Sequence, residues 1–178
     1  MPPKNKAAKN NIQDDSVSQQ QVCYEGERLV RMLKSIQRGI ESARVLAGNS
    51  LPEKVWLKQQ FAIGVNEVTR VLERMALITD EGCSTTQSPC VRLQAILLAG
   101  DCNPKWLTKH LPMLAKSRKV PLIIVRDDKK GSLRLGELVK LKTAVAIGVK
   151  ARGSDIYQVM EGILDGDELN QGAVPQLQ

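Results

Sequence analysis

Three near-continuous apolar runs limit what this chain can fold into: VRLQAILLAGD at 91–101, PLIIVRD at 121–127 and TAVAIGVK at 143–150. A strand with one wet face alternates apolar and polar residues, and these runs do not alternate. They read as strands buried on both faces, so something apolar must cover each side of the sheet they form.

The segments between them supply that cover. From Gly26 onward, Leu29, Leu33, Ile36 and Ile40 recur at helical spacing, and the pattern ends near Gly48. VWLKQQFAIG reads as a short strand ending at Gly64. NEVTRVLERM then reads as a helix with Val68, Val71, Leu72 and Met75 on one face. WLTKHLPMLAKSRK predicts a helix with Trp106, Leu107, Leu111 and Leu114 facing inward, with Pro104 tolerated near its start and Pro112 positioned to kink it. RLGELVKL is a short helix, and SDIYQVMEGIL is a closing helix with Ser154 as its expected cap. The order α-β-α-β-α-β-α-β-α predicts a three-layer α/β/α sandwich.

A chain of 178 residues suits one such domain. Residues 1–21 are polar and read as a disordered tail, 22–165 as the domain, and 166–178 as an acidic tail. No apolar run approaches the roughly 20 residues that a membrane span needs. The basic start has no apolar stretch behind it, so no secretory signal is expected. Cys23, Cys83, Cys90 and Cys102 show no C-x-x-C spacing and the one histidine is His110, so reduced cysteines and no metal site are expected.

Charge is distributed unevenly. Residues 1–103 carry a net +2, residues 104–152 a net +10, and residues 153–178 a net −5. The central segment has the electrostatic footprint of a nucleic-acid binder, although a solvated lysine-rich face accounts for it equally well. Aromatic content of 3% argues against RNA binding through rows of stacked aromatic platforms.

The segment AIGVNEVTRVLER at 62–74 places a carboxylate, Glu67, at the mouth of a helix in this basic chain. One reading is local: Asn66 caps the helix and Glu67 interacts with its dipole. The other is functional. Gly64 lets another backbone approach, Arg70 holds phosphate, and Glu67, which can only accept hydrogen bonds, takes them from a base edge. The residues alone leave both open.

GVNEVTRVLER resembles the GxNExTK/R-x-xER signature of the L-seven-Ae family of ribosomal and ribonucleoprotein proteins. In order, LLAGDCNP is similar to the family's strand followed by D-x-x-P, KHLPMLAKSRKVPLIIV to its HLPxL helix and next strand, and LGELVKLKTAVAI to its last short helix, loop and strand. The resemblance covers roughly residues 25–165. It implies an α/β/α sandwich of the ribosomal protein L-seven-Ae/L-thirty-e type that binds kink-turn RNA, a sharp bend with tandem sheared G·A pairs.

Position by position, the resemblance implies that Asn66, Glu67 and Arg70 contact the G·A pairs and nearby backbone, and that Gly64 admits the RNA. Asn103 falls at a position often acidic in relatives, Leu107 near the extruded base, and Leu141, Lys142 and Thr143 in the loop that tunes specificity. The basic residue often found before the glycine is Ile63 here. The loop at 126–134 also departs from ribosomal members, leaving Lys129 or Lys130 as the candidate phosphate contacts.

Within the family the pattern is most similar to the protein subunits of nuclear ribonuclease P and ribonuclease MRP. That similarity implies a nuclear and nucleolar ribonucleoprotein, with structured RNA and other protein subunits as partners and no membrane. It further implies a part in tRNA 5′-leader and rRNA processing, with the catalysis carried by RNA. The alternative is a core protein of a small nucleolar ribonucleoprotein or of the ribosome. No catalytic residue, metal or cofactor is expected: Cys102 and His110 lack the setting of a nucleophile and base, and no glycine-rich phosphate loop is present.

Overall fold

The computed structural model describes residues 21–75, 91–151 and 155–170. Residues 76–90, Ser154 and most of both expected tails lie outside the described residues. Among the described residues five strands form one mixed sheet in the order β1-β4-β3-β5-β2. They are β1 (Gln21–Tyr24), β2 (Phe61–Ile63), β3 (Leu93–Ala99), β4 (Leu122–Val125) and β5 (Ala146–Lys150). β1, β4 and β3 run parallel, while β5 is antiparallel to both β3 and β2. The α-helices among the described residues are α1 (Gly26–Leu46), α2 (Glu53–Gln60), α3 (Val65–Arg74), α4 (Leu111–Ser117), α5 (Gly131–Leu138) and α6 (Asp155–Asn170).

The apolar runs occupy the centre of this sheet, and successive residues feed two separate cores. On β3, Ala95, Leu97 and Ala99 join α1, α2, α5 and α6 on one face. Leu93, Ile96 and Leu98 join α3 and α4 on the other. From Ala95 onward the period of two fills both sides at once, a register shift between Leu93 and Ala95 puts Leu93 with Ile96 and Leu98, and the fold is the expected α/β/α sandwich. α3 illustrates how an outer layer is held: Val68, Val71 and Leu72 are buried on the sheet side while Asn66, Glu67 and Arg70 face solvent. Burying each of those large apolar side chains contributes about 1.5–3 kcal/mol.

Several expectations are corrected. VWLKQQ is helical rather than extended, and only Phe61–Ile63 is strand. Gln21 belongs to β1, paired with Leu122 of β4, so the ordered domain begins at or before the last residue of the expected tail. Helical hydrogen bonding continues past residue 165 to Asn170. The helix expected from Trp106 is split: a 3-10 turn at Lys105–Leu107 is followed by a turn and then by α4. Pro112 therefore lies in the first turn of α4, where its missing N–H leaves no bond unmade, and it kinks nothing. Trp106 and Leu107 do not face inward; they are 70% and 38% exposed.

Candidate nucleic-acid interface

Strand pairing decides which loops meet. The C-terminal ends of β3 and β4 lie level, with Ala99 opposite Val125, and the start of β5 lies level with the end of β3, with Ala146 opposite Leu98. β2 ends beside β5, with Ile63 opposite Ile147. Two backbone bonds complete the alignment: Gly64 N–H donates to Ala146 O at 2.8 Å and Ala99 N–H to Val145 O at 2.8 Å. The segments following β2 and β3 and preceding β5 therefore share one edge of the sheet. Gly64, Asn66, Glu67 and Arg70 come from the first, Asn103 and Leu107 from the second, and Leu141, Lys142 and Thr143 from the third.

Gly64 has φ +94 and ψ 156, a conformation that strains any L side chain, and a Cβ there would meet nothing within 4 Å. The glycine is thus required by the chain reversal from β2 into α3, and the space outside it is open. Gly64, not Asn66, is the N-cap, and no side chain caps the helix. The local reading of Asn66 as a cap is corrected: Asn66 stands one residue inside α3 with its side chain exposed. Glu67 and Arg70 approach each other at 3.9 Å, and both are well exposed. An exposed pair at that distance is worth a few tenths of a kcal/mol, roughly 0.3–0.5, so each side chain is cheaply released to a ligand.

Two further contacts hold this edge together. Thr69 Oγ1 donates to Val65 O at 2.7 Å and lies 2.8 Å from His110 Nε2. A hydroxyl has one proton, and here the Val65 carbonyl takes it, so His110 Nε2 must be the donor to Thr69. His110 thereby fastens the 103–110 segment to the second turn of α3. At the other end of the two helices, Arg118 Nε donates to Leu72 O at 2.8 Å near the C-terminus of α3. Sequence reasoning assigned His110 a structural setting but not this partner; the signal was present, since Thr69 and His110 both fall in the motif segments.

The loop before β5 is seated on α5. A Cβ at Gly136 would come within 2.7–2.8 Å of backbone atoms of Leu141 and Thr143, so the glycine lets the loop lie flat against the helix. Leu141 N–H donates to Gly136 O at 2.9 Å, and Ala144 N–H to Ser132 O at 2.9 Å. Leu141, Lys142 and Thr143 are held with their side chains exposed. Asp101 orders the loop after β3, accepting the Ser132 N–H at 3.1 Å through Oδ1.

Charge is not uniform along the edge. Beyond β3, toward β1, a cleft is lined by Glu25, Asp101, Asp127 and Asp128, with Arg126 beside them. Asp127 bonds Arg134 Nε at 2.7 Å and holds that guanidinium more firmly protonated than usual. Lys129 and Lys130, the candidate phosphate contacts, stand next in the chain to these carboxylates. Lys105, Lys109 and Lys142 are exposed and do not line that cleft. Burial and the neighbouring Asp101 charge push the Cys102 thiol up from its ordinary value, the opposite of what activates a nucleophile. Among the described residues no cluster of His, Cys, Asp and Glu could hold a metal, and no helix is long and apolar enough to cross a membrane.

Residues 91–157 match the Ribosomal protein L7Ae/L30e/S12e/Gadd45 family. Over that stretch the chain is similar to L7Ae-type domains. It is 31% identical over 108 residues to the human Ribonuclease P protein subunit p38, a match spanning 61% of this chain and 31% of that protein. The chain thus spans about a third of that relative's length. It is 33% identical over 86 residues to the Large ribosomal subunit protein eL8 of Caenorhabditis elegans, spanning 48% of this chain and 25% of that protein. The solved Giardia lamblia 15.5kD RNA binding protein superposes with a TM-score of 0.54 at 15% identity, covering 82% of this chain and 92% of that one. At that identity the likeness is one of fold.

Proposed function

We propose that this L7Ae-type domain is a non-catalytic RNA-binding subunit of a nuclear and nucleolar ribonucleoprotein of the ribonuclease P/MRP kind, seating a kink-turn of its RNA on the edge just described. One observation carries the reading. Pairing of β2, β3 and β5 gathers Gly64, Asn66, Glu67, Arg70, Asn103, Leu107 and the 141–143 loop, while Asn66 and Glu67 are not consumed in capping their own helix. Glu67 accepts from the edges of the paired purines, and Asn66 accepts from and donates to them. Arg70, Lys142 and the lysines at 105 and 109 hold phosphate. Leu107 meets an unpaired base. The likeness to the p38 subunit supports a place in tRNA 5′-leader and rRNA processing, where this chain positions RNA and does not cut it.

The test is direct binding of the full chain to a kink-turn RNA across a salt series. Affinity should fall by roughly tenfold or more between about 50 and 200 mM salt, because phosphate contacts displace counterions. Binding no stronger than to a straight duplex of equal length would refute the kink-turn reading. A second particle is favoured by the likeness to eL8, namely the ribosome or a related ribonucleoprotein. Sequencing the RNA that co-purifies with the tagged protein separates the two.

A further inference from the structure

We propose that Trp106 is a stacking platform for an unpaired nucleobase at the bend of the bound RNA, a contact additional to the one at Leu107. The inference rests on the RNA-binding reading above. Its starting point is an anomaly of burial. The chain has five aromatic side chains, and all five fall within the described residues. Tyr24, Trp56 and Phe61 are buried, Tyr157 is half-buried, and Trp106 is 70% exposed. An indole is the largest apolar side chain available, and leaving it in water is unfavourable unless something else covers it.

The indole is also held on an ordered base. Leu107 N–H donates to Pro104 O at 3.3 Å, Thr108 N–H to Lys105 O at 3.3 Å, and Leu111 N–H to Thr108 O at 3.1 Å. His110 then fixes the end of this segment to Thr69 of α3. Trp106 therefore projects from a hydrogen-bonded turn on the segment that His110 ties to α3, and little conformational freedom is lost when a flat ligand lands on it. The chemistry around it favours a nucleotide over an apolar protein surface. Lys105 precedes it, Lys109 follows within the same turn region, and both are exposed. Cations on either side of an exposed indole suit a base flanked by its own phosphates. Low aromatic content excludes a surface of many platforms; it does not exclude one.

The experiment compares Trp106→Ala, Trp106→Phe and Trp106→Leu in the full chain, with a kink-turn RNA and with the same RNA carrying an abasic site at each unpaired nucleotide of the bend in turn. Trp106 is exposed, so all three variants should melt as the wild type does. We expect Trp106→Ala to bind roughly 5- to 100-fold more weakly, Trp106→Leu similarly, and Trp106→Phe within about threefold of wild type. The alanine penalty should vanish on one of the abasic RNAs. In the wild type, Trp56 is 6% exposed, so acrylamide-quenchable emission comes from Trp106, and RNA should abolish it.

Unchanged RNA affinity in Trp106→Ala overturns the proposal and leaves the indole to a protein partner. So does wild-type affinity in Trp106→Leu, or an alanine penalty that persists on every abasic RNA. Glu67→Ala, measured on the same RNA, separates the two readings. If it weakens binding while Trp106→Ala does not, the RNA interface stands and the platform falls. If the wild type binds no kink-turn, both fall.

Discussion

On the proposed RNA-binding reading, Glu67→Ala should weaken binding to a kink-turn RNA while leaving the melting temperature of the free domain unchanged. The sign is the informative part. On a surface that only attracts phosphate, removing a carboxylate relieves repulsion and tightens binding. If Glu67 accepts hydrogen bonds from a base edge, removing it leaves that base's donors unpaired at a dried interface, and binding weakens by about 1–3 kcal/mol. Folding is indifferent to the change: Glu67 is exposed, caps nothing, and makes one long contact to Arg70. Isothermal titration of wild type and variant at one salt concentration decides the matter, and tighter binding by the variant would rule out base reading. Asn66→Ala and Arg70→Ala should also weaken binding, the arginine change with a shallower dependence on salt.

Leu97→Asp unfolds the domain. Leu97 is fully buried at the centre of β3, opposite Ile123 of β4 and Ile147 of β5, within the core that faces α1 and α6. An aspartate there loses the leucine's packing and must either bury an unpaired charge or take up a proton to avoid doing so. The combined cost is about 4 kcal/mol or more against a total stability of about 5–15 kcal/mol. Circular dichroism and a urea titration would show it, and a variant that melted like the wild type would contradict the two-sided burial of β3.

The central strands were legible because two-sided burial writes itself into composition: Leu97, Ile123 and Ile147 each sit in an apolar run that permits few other readings. α2 was not, since an eight-residue helix that buries two adjacent side chains, Trp56 and Leu57, offers no repeat to recognise. β1 escaped notice for a different reason. QVCY is an edge strand whose extended form depends on pairing with β4, about a hundred residues away in sequence. At the interface, residue identities were readable but their postures were not. Asn66 has the chemistry of a cap, yet the cap falls two residues earlier, at Gly64 with its positive φ. Trp106 and Leu107 continue the apolar spacing of α4, and periodicity cannot report that the chain turns at Thr108 before the helix begins.

The proposed contact residues come from three stretches of chain separated by dozens of positions, and they meet only once β2, β3 and β5 have zipped together. No fragment of the domain can carry the surface alone, so occupancy by RNA and cooperative folding are thermodynamically linked. A ligand at a hundred times its dissociation constant adds about 2.7 kcal/mol to the stability of the whole sheet, lifting its melting point by roughly 5–15 °C. Differential scanning calorimetry with and without RNA would register that as one displaced transition, and a transition split in two would mean the surface can outlive part of the fold.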